Sequence, residues 1–238
     1  MNDSRTAYDA YHRASSKQNA DSPWHNLVKP TLQSPDILTN KTILEVGCGA
    51  NPFSVWLASQ GFGPKEIIAA DFSPAAIEMA QKAADSNSVS NIRWHNEDIQ
   101  DLSFRNEHFD IVFSFETIEH VPKPYTAIKE IYRVLKPGGS LMLTTPNYFG
   151  IFGLYRIYLR LRGRKFTEGG QPINNLMLLP LSLLMVKRAG FKIRDFNTTG
   201  HYLLRPGRFP KDIKFLNHPR FIMRWFGLHS FIQATKPG

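Results

Sequence analysis

A glycine-rich bend directly after an apolar run limits the folds open to this chain more than any other feature. The run ends at Val46, Gly47 and Gly49 follow it, and helix-compatible residues begin near Phe53. Glycine has no Cβ, so the backbone can turn sharply after a strand and a ligand can approach the main chain closely. The pattern therefore predicts a strand, a tight loop and a helix start.

A carboxylate at Asp71 ends the next apolar run. Its distance from the loop, roughly twenty residues, is typical of a carboxylate that accepts both ribose hydroxyls of a nucleoside bound to a doubly wound sheet. A dinucleotide-binding loop would carry a third glycine at the helix start, where this chain has the bulky Phe53. The residues therefore indicate an adenosine-type cofactor and argue against a pyrophosphate on that helix end.

From Thr42 onward, apolar strand patterns alternate with amphipathic helix patterns. Strands are predicted at 43–46, 67–70, 92–95, 110–114, 139–145 and 192–197, and helices at 53–60, 74–85, 124–135 and 176–189. Two further helices, at 5–20 and 24–32, are predicted before this region. Such alternation is typical of an α/β fold, a Rossmann-like, doubly wound and mostly parallel sheet with helices on both faces.

Further motifs follow the second strand and helix. These are Asn96-Glu97-Asp98-Ile99, the stretch from Phe109 to Val121, and Leu135-Lys136-Pro137-Gly138-Gly139. With the glycine loop, and in this order, they resemble the motifs of class I S-adenosylmethionine-dependent methyltransferases, within the type 11 and quinone-biosynthesis O-methyltransferase group. The resemblance covers residues 40–147. It implies S-adenosylmethionine as cofactor, S-adenosylhomocysteine as product, and a seven-stranded sheet whose last strand is antiparallel.

The resemblance also implies roles for individual residues and segments. Glu45 would help hold the methionine ammonium, Asp71 would bind the ribose, and Asp98 would contact the adenine amino group. The full set of cofactor-binding candidates is Glu45, Gly47, Cys48, Gly49, Asp71, Phe72, Asp98, Ile99 and Phe115. The implied segments are a helical one at 1–40 that closes over the cofactor, a core at 41–199 with a substrate lid at 148–171, and a basic accessory segment at 200–238.

His120 is the candidate catalytic base, because it follows the fourth strand at the carboxyl edge of the sheet and histidine titrates near neutral pH. A histidine that caps or packs under the lid is the structural alternative. The candidate substrate-binding residues are Glu116, Glu119, Asn147, His201 and Tyr202. For Asn147, a capping role at the end of the fifth strand competes with an acceptor contact.

The residues Glu116, Glu119 and His120 also resemble a Glu-X-X-Glu-His stretch of quinone-biosynthesis O-methyltransferases. There, such groups are associated with a divalent ion near a catechol-like acceptor, and a hard cation prefers oxygen ligands. The same string occurs in relatives without a metal. We therefore assign no metal ligand and keep a divalent cation as a secondary alternative.

The chain has a formal net charge of +9 that comes largely from its C-terminal half. Such a surface suits an anionic substrate, an anionic membrane or nucleic acid, or is simply solvated. Nucleic acid is disfavoured, because Ser114-Phe115-Glu116-Thr117 stands where amino-methylating enzymes carry Asn or Asp followed by Pro-Pro and an aromatic residue. Basic residues beside Phe152, Tyr155 and Tyr158 indicate an interfacial helix that could contact an anionic membrane.

The sequence therefore favours transfer of a methyl group to a hydroxyl oxygen of a small hydrophobic or anionic metabolite. The alternatives are a nucleic-acid methyltransferase and a catalytically inactive binding module that retains the fold. The lone cysteine, Cys48, excludes an intrachain disulfide, and the first residues lack an apolar secretory signal, so a cytoplasmic protein is expected. The oligomeric state is not indicated.

Overall fold

The computed structural model describes residues 2–14, 22–164, 171–205, 208–212 and 223–238. Its strands are β1 (Thr42–Val46), β2 (Glu66–Asp71), β3 (Ile92–Asn96), β4 (Phe109–Phe115), β5 (Leu135–Pro146), β6 (Lys192–Thr199), β7 (Tyr202–Arg205), β8 (Arg208–Asp212) and β9 (His229–Thr235). Seven of them form one sheet in the order β3-β2-β1-β4-β5-β9-β6, while β7 and β8 pair separately.

Helices pack on both faces of this sheet. They are α1 (Asn2–Ala14), α2 (Pro23–Val28), α3 (Phe53–Ser59), α4 (Pro74–Ser86), α5 (Pro124–Val134), α6 (Ile151–Leu161) and α7 (Leu179–Arg188). Because side chains alternate along a strand, Leu44 of β1 packs in the core with α5 and α7, whereas Ile43 packs in the core with α2 and α3. Both faces of β1 are therefore buried.

The predicted fold class is confirmed. The contacts between β1 and β2, β1 and β4, β2 and β3, and β4 and β5 are all parallel. The last strand, β9, is antiparallel to both of its neighbours. The strand order reverses at β1, which pairs with β2 on one side and β4 on the other, and ligands of open α/β sheets bind at such a point.

The sheet extends further along the chain than the predicted core. β9 pairs with β5 from Ser140 opposite Thr235 to Pro146 opposite His229. Residues 229–235 therefore belong to the sheet, although the sequence placed them in an accessory segment that began at 200. Residues 15–20 of the predicted first helix, 165–170 of the predicted lid and 213–222 of the C-terminal segment lie outside the described residues.

Asn147 connects the end of β5 to the turn before β9. Its side-chain nitrogen donates to the carbonyl oxygens of Trp225 and Gly227, at 2.8 and 3.0 Å. Its side-chain oxygen accepts from the amides of Phe149 and Leu179, both at 3.0 Å. A carboxamide has two donor and two acceptor positions, so all four are engaged. The cap that competed with the predicted acceptor contact is the role the structure gives this residue.

We expect Asn147→Ala to lower the free energy of unfolding by about 2–3 kcal/mol, because several buried backbone groups lose their partner at once. The midpoint of thermal unfolding should fall by about 4–12 °C in a chain of this size. The exposed Asn91 provides a matched control, and Asn91→Ala should change the free energy by less than about 0.5 kcal/mol. Equal midpoints for the two variants would contradict the proposed role of Asn147.

Candidate active site

A cavity of about 550 Å³ lies at the carboxyl ends of the central strands. Its volume is within the range of small-molecule sites, roughly 300–1,000 Å³. The ends of β1, β2 and β4 contribute Glu45, Asp71 and Phe115 to its wall. The region between β1 and β4, where the strand order reverses, is therefore the candidate site.

Glu45 is a buried carboxylate that anchors the start of α3. Its two oxygens accept hydrogen bonds from the amides of Phe53, at 2.9 Å, and Ser54, at 2.6 Å. Burial raises the pKa of Glu45 to about 7, although these hydrogen bonds oppose the shift. A carboxylate has about four acceptor positions, so Glu45 can also accept from an ammonium group in the cavity. The predicted contact with a methionine ammonium is compatible with this geometry.

The loop after β1 takes the left-handed conformations that its glycines allow. Gly47 and Gly49 have φ angles of 71° and 62°. A Cβ on Gly47 would overlap the side chain of Thr117, which follows β4. Close packing of the loop against the end of β4 therefore requires glycine at position 47. Cys48 lies between the two glycines on the cavity wall, and burial raises the pKa of its thiol, so it remains neutral.

Asp71 links this loop to the turn before α4. Its carboxylate accepts from the amide of Gly49 at 2.8 Å and from the amide of Ser73 at 2.9 Å. Burial raises the pKa of Asp71, whereas the nearby His12 and these amides oppose the shift. Each oxygen keeps a second acceptor position, and Asp71 lies on the cavity wall. The site thus offers paired acceptors that fit the two hydroxyls of a ribose.

The other end of the nucleoside half contains the motif after β3. Phe72, Asp98 and Ile99, to which the family resemblance gives contacts with an adenine, all line the cavity, and those contacts stay a prediction. One oxygen of Asp98 accepts from the amide of Gln100 at 2.8 Å, which fixes the orientation of the carboxylate. An apolar face at Ile99 next to an oriented carboxylate fits a flat base with an exocyclic amino group.

α1 and α2 cover the cavity from the N-terminal side. Tyr8 donates from its hydroxyl to the carbonyl oxygen of His120 at 2.9 Å, and Asp9 accepts hydrogen bonds from Ser73 and from the amide of Ala75. Burial raises the pKa of Tyr8 to about 12, so its phenol keeps the proton that it donates. Tyr8, Tyr11, His12, Trp24 and His25 all line the cavity.

The acceptor end of the cavity contains the residues that follow β4. Glu116, Glu119 and His120 line it together with Phe115. His120 donates from Nδ1 to the carbonyl oxygen of Ile173 at 2.8 Å, and its Nε2 lies 3.5 Å from the Glu119 carboxylate. Burial lowers the pKa of His120. A neutral His120 is therefore favoured, and its role as a base stays a prediction.

The three residues of the Glu-X-X-Glu-His stretch do not converge on one point. Glu116 contacts His229 of β9, whereas Glu119 lies next to His120. Among the described residues, no three His, Cys, Asp or Glu side chains are placed so that they could hold a metal ion.

Two predicted acceptor residues lie away from the cavity wall. Asn147 caps the turn before β9, and His201 is buried with its Nε2 2.9 Å from the carbonyl oxygen of Met223. Tyr202 lies in β7, and its side chain is outside the described part of the chain. Strand ends leave many backbone groups to be satisfied, and polar side chains there often serve that purpose.

His229, Gln171 and Ile173 line the acceptor end and were not predicted from the sequence. For His229, the signal was the run Phe231-Ile232 after it, which indicates a strand. A strand assignment alone would not have placed His229 at the cavity, because its partner strand had to be known as well.

Comparisons with known proteins agree with the fold and with S-adenosylmethionine as the cofactor. Residues 44–143 match the family described as "Methyltransferase domain". The chain is 27% identical over 194 residues to a ubiquinone biosynthesis O-methyltransferase of Acinetobacter baylyi, a match that covers 76% of this chain and 77% of that protein.

Other matches are shorter or show the fold alone. A ubiquinone biosynthesis O-methyltransferase of Coxiella burnetii is 36% identical over 110 residues, and the match spans 46% of this chain and only 45% of that protein. An S-adenosylmethionine-dependent methyltransferase structure from Mesorhizobium loti has a TM-score of 0.62 at 15% identity and covers 92% of this chain and 100% of that one.

We expect Asp71→Asn to weaken the binding of S-adenosylmethionine and S-adenosylhomocysteine by about 10- to 100-fold, because a charged acceptor at the predicted ribose position is lost. Isothermal titration measures both affinities. The exposed Asp85 of α4 offers a control of the same chemistry, and Asp85→Asn should bind like the wild-type protein. Unchanged affinity in a folded Asp71→Asn variant would remove Asp71 from the nucleoside site.

Proposed function

We propose that the chain is an S-adenosylmethionine-dependent methyltransferase that transfers a methyl group to a hydroxyl oxygen of a small hydrophobic or anionic metabolite. Its residues 44–143 match the family described as "Methyltransferase domain". S-adenosylmethionine is the cofactor of this family. Glu45, Asp71 and Asp98 are the carboxylates that would hold its methionine, ribose and adenine parts.

The observation that carries the proposal is the continuity of the cavity. The nucleoside half, with Asp71 and Asp98, opens into an acceptor half with Phe115 and His120. A methyl donor and its acceptor have to lie end to end for the transfer, and holding them in this geometry is the main catalytic contribution expected of the protein.

The sulfonium group of the cofactor supplies an already activated methyl group. The remaining work of the chain is to align the acceptor oxygen and to take its proton. The acceptor half suits that work, since it combines apolar side chains such as Trp24 and Leu228 with the titratable groups of Glu116, His120 and His229.

The side chains that line the acceptor half indicate which kind of methyl acceptor it suits. Trp24, Phe115, Ile173 and Leu228 offer apolar surface for an aromatic or alkyl-bearing molecule. The relatives named as ubiquinone biosynthesis O-methyltransferases support oxygen as the accepting atom and a quinone precursor as the type of molecule. A nucleic-acid substrate has only the net charge in its favour.

A catechol with an alkyl chain tests the proposal. We expect the wild-type protein to convert 4-alkylcatechol to a mono-O-methyl product with one equivalent of S-adenosylhomocysteine, and Asp71→Asn to reduce the rate by about 10-fold or more at limiting cofactor. Mass spectrometry of both products provides the measurement. Binding of the cofactor without methylation of catechols, phenols or carboxylated phenols would contradict the acceptor class, and methylation of RNA instead would favour the nucleic-acid alternative.

We also propose that α6 lies against an anionic membrane surface. Its outward residues are apolar, with Leu154, Ile157 and Leu161 exposed by 67, 57 and 82%. They recur at helical spacing on one side, and Tyr155 and Tyr158 stack beside them. Exposed apolar residues in such a stripe mark an interaction surface more often than isolated ones do.

An ordinary surface helix buries its apolar side chains, whereas α6 exposes them. The buried Gly153 and the half-buried Arg156 face the protein, where Arg156 donates to the carbonyl oxygen of Asn174 at 3.1 Å and lies over the ring of Tyr148. The exposed Arg160, Arg162 and Arg164 flank the apolar stripe. Apolar side chains bordered by cations are typical of a helix in the plane of an anionic interface.

Sedimentation with vesicles tests this surface. We expect binding to vesicles that contain phosphatidylglycerol, weaker binding at high salt, and loss of about 10-fold or more in affinity for Leu161→Asp combined with Ile157→Asp. Ile37→Asp, at an exposed apolar position elsewhere, serves as the control. Equal binding by all three proteins would exclude α6 as the contact. None of the helices in the described part of the chain has the length and apolar character needed to span a bilayer.

A further inference from the structure

We propose that His229, oriented by Glu116, is the catalytic base that takes the proton from the acceptor hydroxyl. The inference rests on the proposed function, since it names the base of that same reaction. Neither residue belongs to the cofactor half of the cavity, and His229 follows the matched family domain by many residues in the chain.

The two side chains form a close pair on the cavity wall. Nδ1 of His229 lies 3.1 Å from Oε2 of Glu116, and each side chain is 15% exposed. The second carboxylate oxygen of Glu116 is buried and has no hydrogen-bond partner among the described residues. A carboxylate held this far from solvent interacts with a nearby imidazole more strongly than an exposed one does.

The backbone at Glu116 is held in an unusual conformation that serves this pair. Glu116 has a φ of 47°, a left-handed value that is strained for a non-glycine residue. Its amide donates to the carbonyl oxygen of Thr144 in β5 at 3.1 Å. The residue thus leaves the line of β4 at the sheet edge, and its carboxylate reaches past β5 to β9. Strain of this kind is maintained where the surrounding structure determines it.

His229 is held from its other sides by uncharged groups. It begins β9, where it pairs with Pro146 of β5 and Thr199 of β6. The ring of Trp24 from α2 packs on its imidazole, with 5.1 Å between centroids. The neighbouring titratable residue of α2, His25, packs instead on Phe53 and Phe115. Glu116 is therefore the charged partner that the described contacts place on His229.

The pairing fixes the position of the proton on the imidazole. A carboxylate accepts hydrogen bonds, so Nδ1 carries the hydrogen and Nε2 keeps a lone pair. When Nε2 takes a proton, the ring becomes a cation next to the Glu116 carboxylate, which stabilises it. Both properties are those required of a general base.

His120 has the same tautomer, but a buried carboxyl group lies beside its Nε2. Its Nδ1 donates to the neutral carbonyl oxygen of Ile173, and its Nε2 lies near Glu119, so a buried acidic group occupies the side on which a substrate proton would arrive. Burial also lowers the pKa of His120. His229 is therefore the better base of the two histidines, and His120 remains part of the acceptor wall.

The step balances with these groups. The acceptor oxygen forms a bond to the methyl carbon as the bond from that carbon to sulfur breaks, and the electron pair stays on the sulfur of S-adenosylhomocysteine. The hydroxyl proton passes to Nε2 of His229, and it leaves to solvent after the product dissociates.

Nitrogen NMR of the histidine-labelled full chain tests the pair without any acceptor. The His229 signals, assigned by their absence in His229→Gln, should show the Nδ1-protonated tautomer in the wild-type protein. In Glu116→Gln, which removes the charge and can present a donor to the ring, that tautomer should be lost. A wild-type His229 protonated on Nε2 overturns the proposal, whether or not the protein methylates catechols.

Kinetics with the 4-alkylcatechol probe test the role of the pair in the reaction. We expect His229→Gln to lower kcat by about 100-fold or more, the usual contribution of a general base, and Glu116→Gln to lower it by at least about 10-fold. Both variants should bind S-adenosylmethionine like the wild-type protein, and His229→Gln should lose the rise of kcat with pH. His120→Gln should retain that rise.

Each outcome of these experiments is informative. A wild-type rate in His229→Gln, or loss of the pH dependence only in His120→Gln, overturns the proposal while the methyltransferase function stands. A wild-type protein that binds the cofactor but methylates no hydroxyl refutes the proposed function, and the NMR result then decides on the pair separately.

Discussion

Backbone amides at the carboxyl ends of β1 and β2 impose the constraint on which the rest of the site depends. A chain that leaves a strand and turns into a helix carries amide donors with no partner in the strand or the helix. Glu45 accepts from the amides at the start of α3, and Asp71 accepts from Gly49 and Ser73. Buried carboxylates are costly unless hydrogen-bonded, and here each carboxylate receives two amide donors. The carboxylates of Glu45 and Asp71, which fix the loops, are thus also the hydrogen-bond acceptors that line the cavity.

This constraint explains which part of the molecule could be predicted from the sequence. The glycines and Asp71 lie within one loop and the end of the next strand, so local spacing identifies them, whereas the role of Glu45 came from the family resemblance. The parallel strands were likewise visible as apolar runs. β9 was missed because only the short run Phe231-Ile232 marks it, and its partner strand is distant: Ser230 contacts Thr145 across 85 residues of the chain. No local pattern specifies such a partner, although it decides which residues line the acceptor half.

The acceptor half depends even more on contacts between residues that are distant in sequence, so less of it could be predicted. Its walls come from α1, α2, the segment around Ile173 and the start of β9, which are distant in sequence. The sequence could not distinguish polar residues that line the cavity from polar residues that only satisfy backbone groups near a strand end. The structure makes this distinction. Asn147 and His201 satisfy carbonyl groups behind the cavity, whereas His229, with no motif around it, lies on the wall.

The two halves of the cavity therefore differ in the free energy needed to open them locally. In the cofactor half, the carboxylates of Glu45 and Asp71 bind backbone amides at the carboxyl ends of the strands. These hydrogen bonds break only when the strands and the helix starts around them unfold. In the acceptor half, the contacts join separate elements through a few side chains, such as Tyr8 to the carbonyl oxygen of His120. Segments held by few contacts open at lower free energy than core strands do. We therefore expect the acceptor half to open at a lower free energy than the contacts of Glu45 and Asp71 with the backbone.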